Sequence, residues 1–137
     1  MKAIVFDQFG PPEVLRLVDL PVPEPGEGQL RIRVHAVSVN QALDVGLRQG
    51  VAGVPVKLPN TPGIDPSGVV DAVGPGVTGW SVGDRVAASV PPTQGGGYAE
   101  FALVAAAAAR RVPEGLDFPR ATVVNRHFPT EIGRAHV

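Results

Sequence analysis

Leu30-Arg31-Ile32-Arg33-Val34-His35-Ala36-Val37-Ser38 alternates apolar and polar side chains. In an extended chain, successive side chains point to opposite faces. Leu30, Ile32, Val34 and Ala36 are therefore predicted to face a core, and Arg31, Arg33 and His35 to face water. A helix would scatter the same residues around its axis. The stretch predicts a strand over 29–39 with one buried and one wet face, as antiparallel sheets commonly have.

The same pattern recurs outward from this strand. Short Val-rich runs cut by Gly, Pro and Asp predict strands near 2–8, 14–19, 66–74, 84–90, 97–104 and 109–112, the rhythm of a sandwich or barrel. Pro21-Val22-Pro23-Glu24-Pro25-Gly26 lacks ladder donors at its prolines and reads as a connector. One segment, Gln41 to Gln49, predicts a helix, with Asn40 as N-cap and Gly50 as C-terminal cap residue. Leu43 and Leu47 would face the core, and Asp44 and Arg48 would pair one turn apart. Gly46 weakens the helix by about 1 kcal/mol relative to Ala.

The 137 residues suit one domain, and 44% apolar content can build a core despite seventeen glycines and fifteen prolines. The net charge of −1 offers no field to gather nucleic acid or anionic lipid. The chain contains no Cys, which excludes disulfides, thiolate zinc sites, iron–sulfur clusters and cysteine nucleophiles. The longest apolar run, Phe101 to Ala109, is about half of a bilayer crossing, and Met1-Lys2 leads into Ala3-Ile4-Val5-Phe6 without a signal-peptide pattern. A soluble cytoplasmic protein is expected, with no membrane partner and no nucleic-acid partner.

Four motifs bear on chemistry. Gly74-Pro75-Gly76-Val77-Thr78-Gly79 spells a dinucleotide fingerprint. The mechanism needs a helix N-terminus after it, however, and Trp80-Ser81-Val82-Gly83-Asp84 is turn chemistry, so a hairpin turn is predicted. Gly79-Trp80-Ser81-Val82-Gly83 matches a nucleophile elbow, with Asp117 and His127 following in hydrolase order. Arg85-Val86-Ala87-Ala88 continues as a strand rather than a helix, leaving a serine hydrolase acting through Ser81 as a remote alternative. His35 sits on the wet strand face and His127 and His136 near the end, with no metal-site spacing. Asn40, Asp44 and Arg48 cluster at the strand-to-helix junction. They read either as a cap plus a surface pair of about 0.3–0.5 kcal/mol or as the wall of a site.

Longer motifs run in order along residues 1–121. They are Met1-Lys2-Ala3, Phe9-Gly10-Pro11-Pro12-Glu13-Val14-Leu15, Pro23-Glu24-Pro25, Val39-Asn40-Gln41-Ala42-Leu43-Asp44 and Pro62-Gly63-Ile64-Asp65-Pro66-Ser67-Gly68. Val73-Gly74-Pro75-Gly76-Val77, Val82-Gly83-Asp84-Arg85-Val86 and Gly97-Tyr98-Ala99-Glu100-Phe101 follow. Through them the chain resembles the N-terminal, GroES-like domain of the medium-chain dehydrogenase/reductase superfamily, most densely its zinc-independent quinone oxidoreductase-like branch. The resemblance implies a mainly β fold, a partly open β-barrel with one or two short helices, serving as the substrate wall of a two-domain enzyme. A following Rossmann half would bind NADPH, and hydride would pass to a quinone or α,β-unsaturated carbonyl. A non-catalytic GroES-like binding or assembly module is the alternative.

By residue-wise match, Asn40 is expected to touch nicotinamide or acceptor, with Asp44 and Arg48 in the same cleft wall. Asp65 and Ser67 are expected in a loop facing the cofactor. Zinc-dependent relatives place Cys at Asn40 and His-Glu at Ile64-Asp65, so no zinc is expected. Branch members commonly carry Tyr at the position of Gly46, so one donor near the acceptor is absent. The resemblance further implies a homodimer at full length. After Ala121 the family continues into its cofactor domain, whereas Glu131-Ile132-Gly133-Arg134-Ala135-His136-Val137 reads like translated sequencing adapter. Residues 122–137 are accordingly expected to be a non-native tail on a fragment that is inactive by itself.

Overall fold

The computed structural model describes residues 1–51, 53 and 55–123. In chain order it contains β1 (Lys2–Val5), β2 (Arg16–Asp19), β3 (Gln29–Val37), α1 (Gln41–Gln49), β4 (Pro66–Val73), β5 (Arg85–Ala88), β6 (Phe101–Ala105) and β7 (Ala109–Arg111). Five strands form an antiparallel sheet ordered β6-β3-β4-β5-β7, and β1 and β2 form a separate antiparallel ribbon. The sheets do not close on each other, which gives the partly open barrel that the motifs imply. Residues 118–123 are helical.

Every predicted strand is present, and most are shorter than predicted. The first ends at Val5. The second starts at Arg16 because Pro12–Val14 form a 3₁₀ turn with proline at its start. The strand predicted at 97–104 is continuous only from Phe101, with an isolated bridge from Ala99 to Ala3 ahead of it. Before it, the backbone of Gly96, Gly97 and Tyr98 donates to the carbonyls of Thr61, Gly63 and Pro62 at 2.7–2.9 Å. That strap brings Tyr98 toward α1.

The alternation in β3 holds at Leu30 and Ile32, both 0% exposed, and relaxes beyond them. The register with β4 slips between Arg31 and Ile32 and again between Val34 and Ala36. These irregularities bend the strand and leave Val34 and Ala36 half-buried. Opposite Val34, Gly68 lets β4 approach closely: a Cβ there would lie 1.9 Å from the Arg33 carbonyl oxygen.

Leu30, Ile32, Ile64, Val70, Val86, Ala88, Val90 and Val104 form the main core, with Leu43 and Trp80 packed against it. Full burial of each large aliphatic side chain stabilises by about 1.5–3 kcal/mol, so this cluster outweighs the surface ion pairs. A smaller cluster of Ala87, Val112 and Ala121, with Leu116 against it, seats the 118–123 segment. The predicted boundary after Ala121 falls inside that segment. Thr122 is 3% exposed and its Oγ1 donates to the Pro119 carbonyl at 2.7 Å. The rest of the predicted tail, residues 124–137, lies outside the described residues.

Candidate active site

Helix α1 carries the site, and its ends are built as the sequence predicts. The Leu43 amide donates to Asn40 Oδ1 at 3.2 Å, and Gly50 takes φ +75° past the last turn. Leu47 is buried and Leu43 packs against the main core, which fixes the rotation of the helix. That rotation turns Asp44 and Arg48 toward a mostly apolar cleft of about 280 Å³, lined also by Ile4, Leu15, Val39 and Tyr98.

The predicted Asp44–Arg48 pair does not form, because each has a different partner. The Tyr98 hydroxyl donates to Asp44 Oδ2 and lies 3.4 Å from the Ser38 carbonyl oxygen, while Arg48 Nε donates to the Gly10 carbonyl at 3.1 Å. Tertiary partners displace a surface pair of a few tenths of a kcal/mol. Asp44 Oδ1 is buried and has no hydrogen-bond partner among the described residues. Burial raises the Asp44 carboxyl above its ordinary range, outweighing the hydrogen bonds from Tyr98 and the helix backbone. Burial, then the Asp44 carboxyl, pushes the Tyr98 phenol upward as well.

Asp65 and Ser67 do not stand in an open loop. Asp65 is 2% exposed, accepting from Ser38 Oγ at 2.9 Å and from Ser89 Oγ at 2.7 Å. Two hydroxyls and further contacts offset the cost of burying that carboxyl. Ser67 is the second residue of β4, 0% exposed, and donates to the Phe118 carbonyl at 2.7 Å. Strand pairing on both sides of β4 draws Ser67 into the interior. Asp44 and Arg48 thus line the cleft from one helix, Asn40 caps that helix without lining the cleft, and Asp65 and Ser67 are buried in the interior. Ser38 joins the two groups through its carbonyl and its hydroxyl.

Tyr98, Ser38 and Ser89 were not among the candidate residues. Tyr98 had a readable signal: it is the chain's single tyrosine and follows Gly95-Gly96-Gly97. The two serines gave none, since their role depends on strands brought together in space.

The remaining motifs resolve as turns or stacking contacts. Gly74 to Gly79 leaves β4 as a turn, with Gly76 at φ +77° and Gly79 at φ +84°, and no helix follows. Ser81 is exposed in a turn that leads into β5, so the strand-turn-helix of a nucleophile elbow is absent there. His127 and His136 lie outside the described residues. His35 packs on the Phe118 ring at 4.6 Å between centroids. Among the described residues, no group of three or more His, Asp or Glu could hold a metal, and no helix is long and apolar enough to cross a membrane.

The profile of the alcohol dehydrogenase GroES-like domain matches residues 26–114, which include β3, α1, the cleft residues Asp44, Arg48 and Tyr98, and the buried Asp65. The chain belongs to the GroES-like domain family of alcohol dehydrogenases. Within the medium-chain dehydrogenase/reductase superfamily it falls in the quinone oxidoreductase-like branch. It is 42% identical over 125 residues to the quinone oxidoreductase of Sus scrofa, covering 90% of this chain and 37% of that protein. The structure of the quinone oxidoreductase from Coxiella burnetii superposes with a TM-score of 0.86 at 35% identity, covering all of this chain and 45% of that one. A mycobacterial structure complexed with NADPH superposes with a TM-score of 0.78 at 38% identity, covering 89% of this chain and 37% of that one. The chain thus spans less than half the length of each.

Proposed function

We propose that this chain is the substrate-side half of an NADPH-dependent, zinc-independent oxidoreductase that delivers hydride to a quinone or an α,β-unsaturated carbonyl. The carrying observation is the cleft beside α1, apolar on most of its wall and polar at Asp44, Arg48 and Tyr98, in a chain 42% identical to a quinone oxidoreductase. A flat conjugated acceptor suits such a wall. Reducing it creates negative charge on an oxygen remote from the carbon that receives hydride, so alignment and a few polar groups suffice.

The described residues fit the ring end of the cofactor and not its pyrophosphate. The cleft wall carries the polar side chains of Asp44, Arg48 and Tyr98 among apolar ones, whereas the Gly74–Gly79 fingerprint is a turn without a helix N-terminus. When bound, NADPH supplies the hydride. Asn40 sets the start of α1 and contacts nicotinamide or acceptor at the cleft rim, and Asp44 and Arg48 form the wall. Asp65 and Ser67 contribute to cofactor binding from the interior, Asp65 by fixing Ser38 and Ser89, Ser67 by fixing Phe118.

The pyrophosphate belongs to a following Rossmann domain. Val39 and Val51, 76% and 72% exposed at either end of α1, supply apolar surface for such a neighbour. The same reading makes 1–121 the native domain, 122–137 a non-native tail, and the full enzyme a cytoplasmic homodimer without nucleic-acid or membrane partners.

The test is steady-state oxidation of NADPH by the full-length enzyme with a panel of quinones and enones, alongside calorimetry on the 137-residue chain. Turnover of at least one acceptor, with no tight NADPH binding by the chain itself, is the expected result. A full-length protein that neither binds NADPH nor reduces any acceptor would leave a non-catalytic GroES-like module.

A further inference from the structure

We infer that Arg48 is the group that meets the negative charge the reduction places on the acceptor's oxygen, through the Nη ends of its guanidinium. The inference rests on the reductase reading and deepens it by assigning the wall residue that holds the acceptor's carbonyl.

The polar side chains that line the cleft are Gln41, Asp44, Arg48 and Tyr98. Two of them have no donor to offer a ligand: the Tyr98 hydroxyl is committed to Asp44 Oδ2, and Asp44 Oδ1 is buried. Gln41 is exposed at the start of α1 and carries no charge. Arg48 is half-buried and anchored at its stem. Its Nε donates to the Gly10 carbonyl at 3.1 Å, and the Gly10 amide donates back to the Arg48 carbonyl at 2.9 Å. Its Nη1 and Nη2 have no hydrogen-bond or ion-pair partner among the described residues, so the remaining donors of a permanently charged fork stand on an otherwise apolar wall. Apolar neighbours strengthen the pull of that cation on a charge developing beside it. The anchor at Nε also leaves less side-chain freedom to lose when a ligand oxygen arrives.

The step balances without an acid from the chain. A hydride supplied by the reduced nicotinamide forms a C–H bond at the electrophilic carbon of the acceptor, and the conjugated pair moves onto the carbonyl oxygen. The acceptor gains two electrons and the nicotinamide loses them. The product is an enolate or a hydroquinone monoanion, whose oxygen takes its proton from solvent water once it leaves Arg48. Guanidinium donors hold that anion more strongly than the neutral carbonyl that preceded it, so they lower the barrier rather than only KM.

The oxyanion site is read apart from turnover with 4-nitrophenol, a flat conjugated phenol whose ionised form absorbs in the visible. The 137-residue chain is expected to bind the phenolate more tightly than the phenol. A preference of about tenfold lowers the pKa of the bound dye by about one unit. Arg48→Met is expected to erase the preference while the neutral dye still binds the apolar wall. An unmoved or raised dye pKa in the unaltered chain, or no binding of either form at millimolar dye, overturns the site without recourse to a variant. A preference that survives in folded Arg48→Met overturns Arg48 as its source. In the full-length enzyme, Arg48→Met is expected to lose about 10²–10³-fold in kcat with a smaller change in KM. Wild-type kcat in that folded variant overturns the charge-stabilising role. An inactive wild-type enzyme whose chain still prefers the phenolate overturns that role together with the reductase reading and leaves only the oxyanion site.

Discussion

Ser67 Oγ donates to the Phe118 carbonyl at 2.7 Å, joining β4 to the 118–123 segment across 51 residues. The ring of Phe118 packs against both the His35 ring and the Arg85 guanidinium, each 4.6 Å away. This one hydroxyl therefore fixes a residue that several elements share. Ser67→Ala leaves a half-buried carbonyl without its donor and is expected to cost about 1–3 kcal/mol, read as a lower urea midpoint with an unchanged slope. An unchanged midpoint would show that water replaces the hydroxyl.

Gly68→Ala tests the close approach of β3 and β4. Its Cβ would sit 1.9 Å from the Arg33 carbonyl oxygen, on backbone that can move only by breaking the central ladder. The variant is expected to be destabilised by more than about 3 kcal/mol and to be recovered largely as aggregate. Soluble protein with wild-type near-ultraviolet circular dichroism would contradict the packing.

Asn40 separates capping from contact with a ligand. The cap at 3.2 Å to the Leu43 amide predicts that Asn40→Ala lowers stability by about 0.5–2 kcal/mol, while Asn40→Ser is nearly silent in the same melt. Under the proposed function, both variants also lose kcat/KM in the full-length enzyme, Ser by about five- to 150-fold, because a hydroxyl cannot present the amide's donor and acceptor together. Full activity in a stable Asn40→Ser enzyme would confine the residue to the helix cap.

Asp44 gives the stability of the chain a pH dependence of predictable sign. Its folded carboxyl holds a proton more tightly than the unfolded one, which titrates near 3.8. The stabilisation this provides is complete below that value and is lost as pH rises through the higher folded pKa. Asp44→Asn is therefore expected to be more stable than wild type at neutral pH, with the difference closing in acid. Urea melts between pH 3 and 8 read this, on the order of the range where carboxyl groups titrate. A neutral-pH loss of stability in the variant would mean that the ionised carboxylate is the favoured form.

Zinc is expected to be absent after dialysis against a chelator, as measured by elemental analysis. The chain has no Cys, and Asn40 and Ile64 stand where zinc-dependent relatives carry ligands. Near-stoichiometric zinc would reverse the proposed chemistry.

The sequence by itself determined the elements whose signals are local. The two-residue period placed β3, and an N-cap side chain with a C-terminal glycine bounded α1 at Gln41 and Gln49, because those interactions reach no further than four residues along the chain. The zero count of Cys needed no structure either. Only the tertiary structure decided which partner each polar side chain takes. Asp44 passes over Arg48, four residues away, for Tyr98, 54 residues away, and Asp65 is sealed between Ser38 and Ser89. Those choices follow from the bulged register of β3 on β4 and from the glycine strap that carries Tyr98 to α1. They fix burial, and burial is what raises the Asp44 carboxyl above its ordinary range.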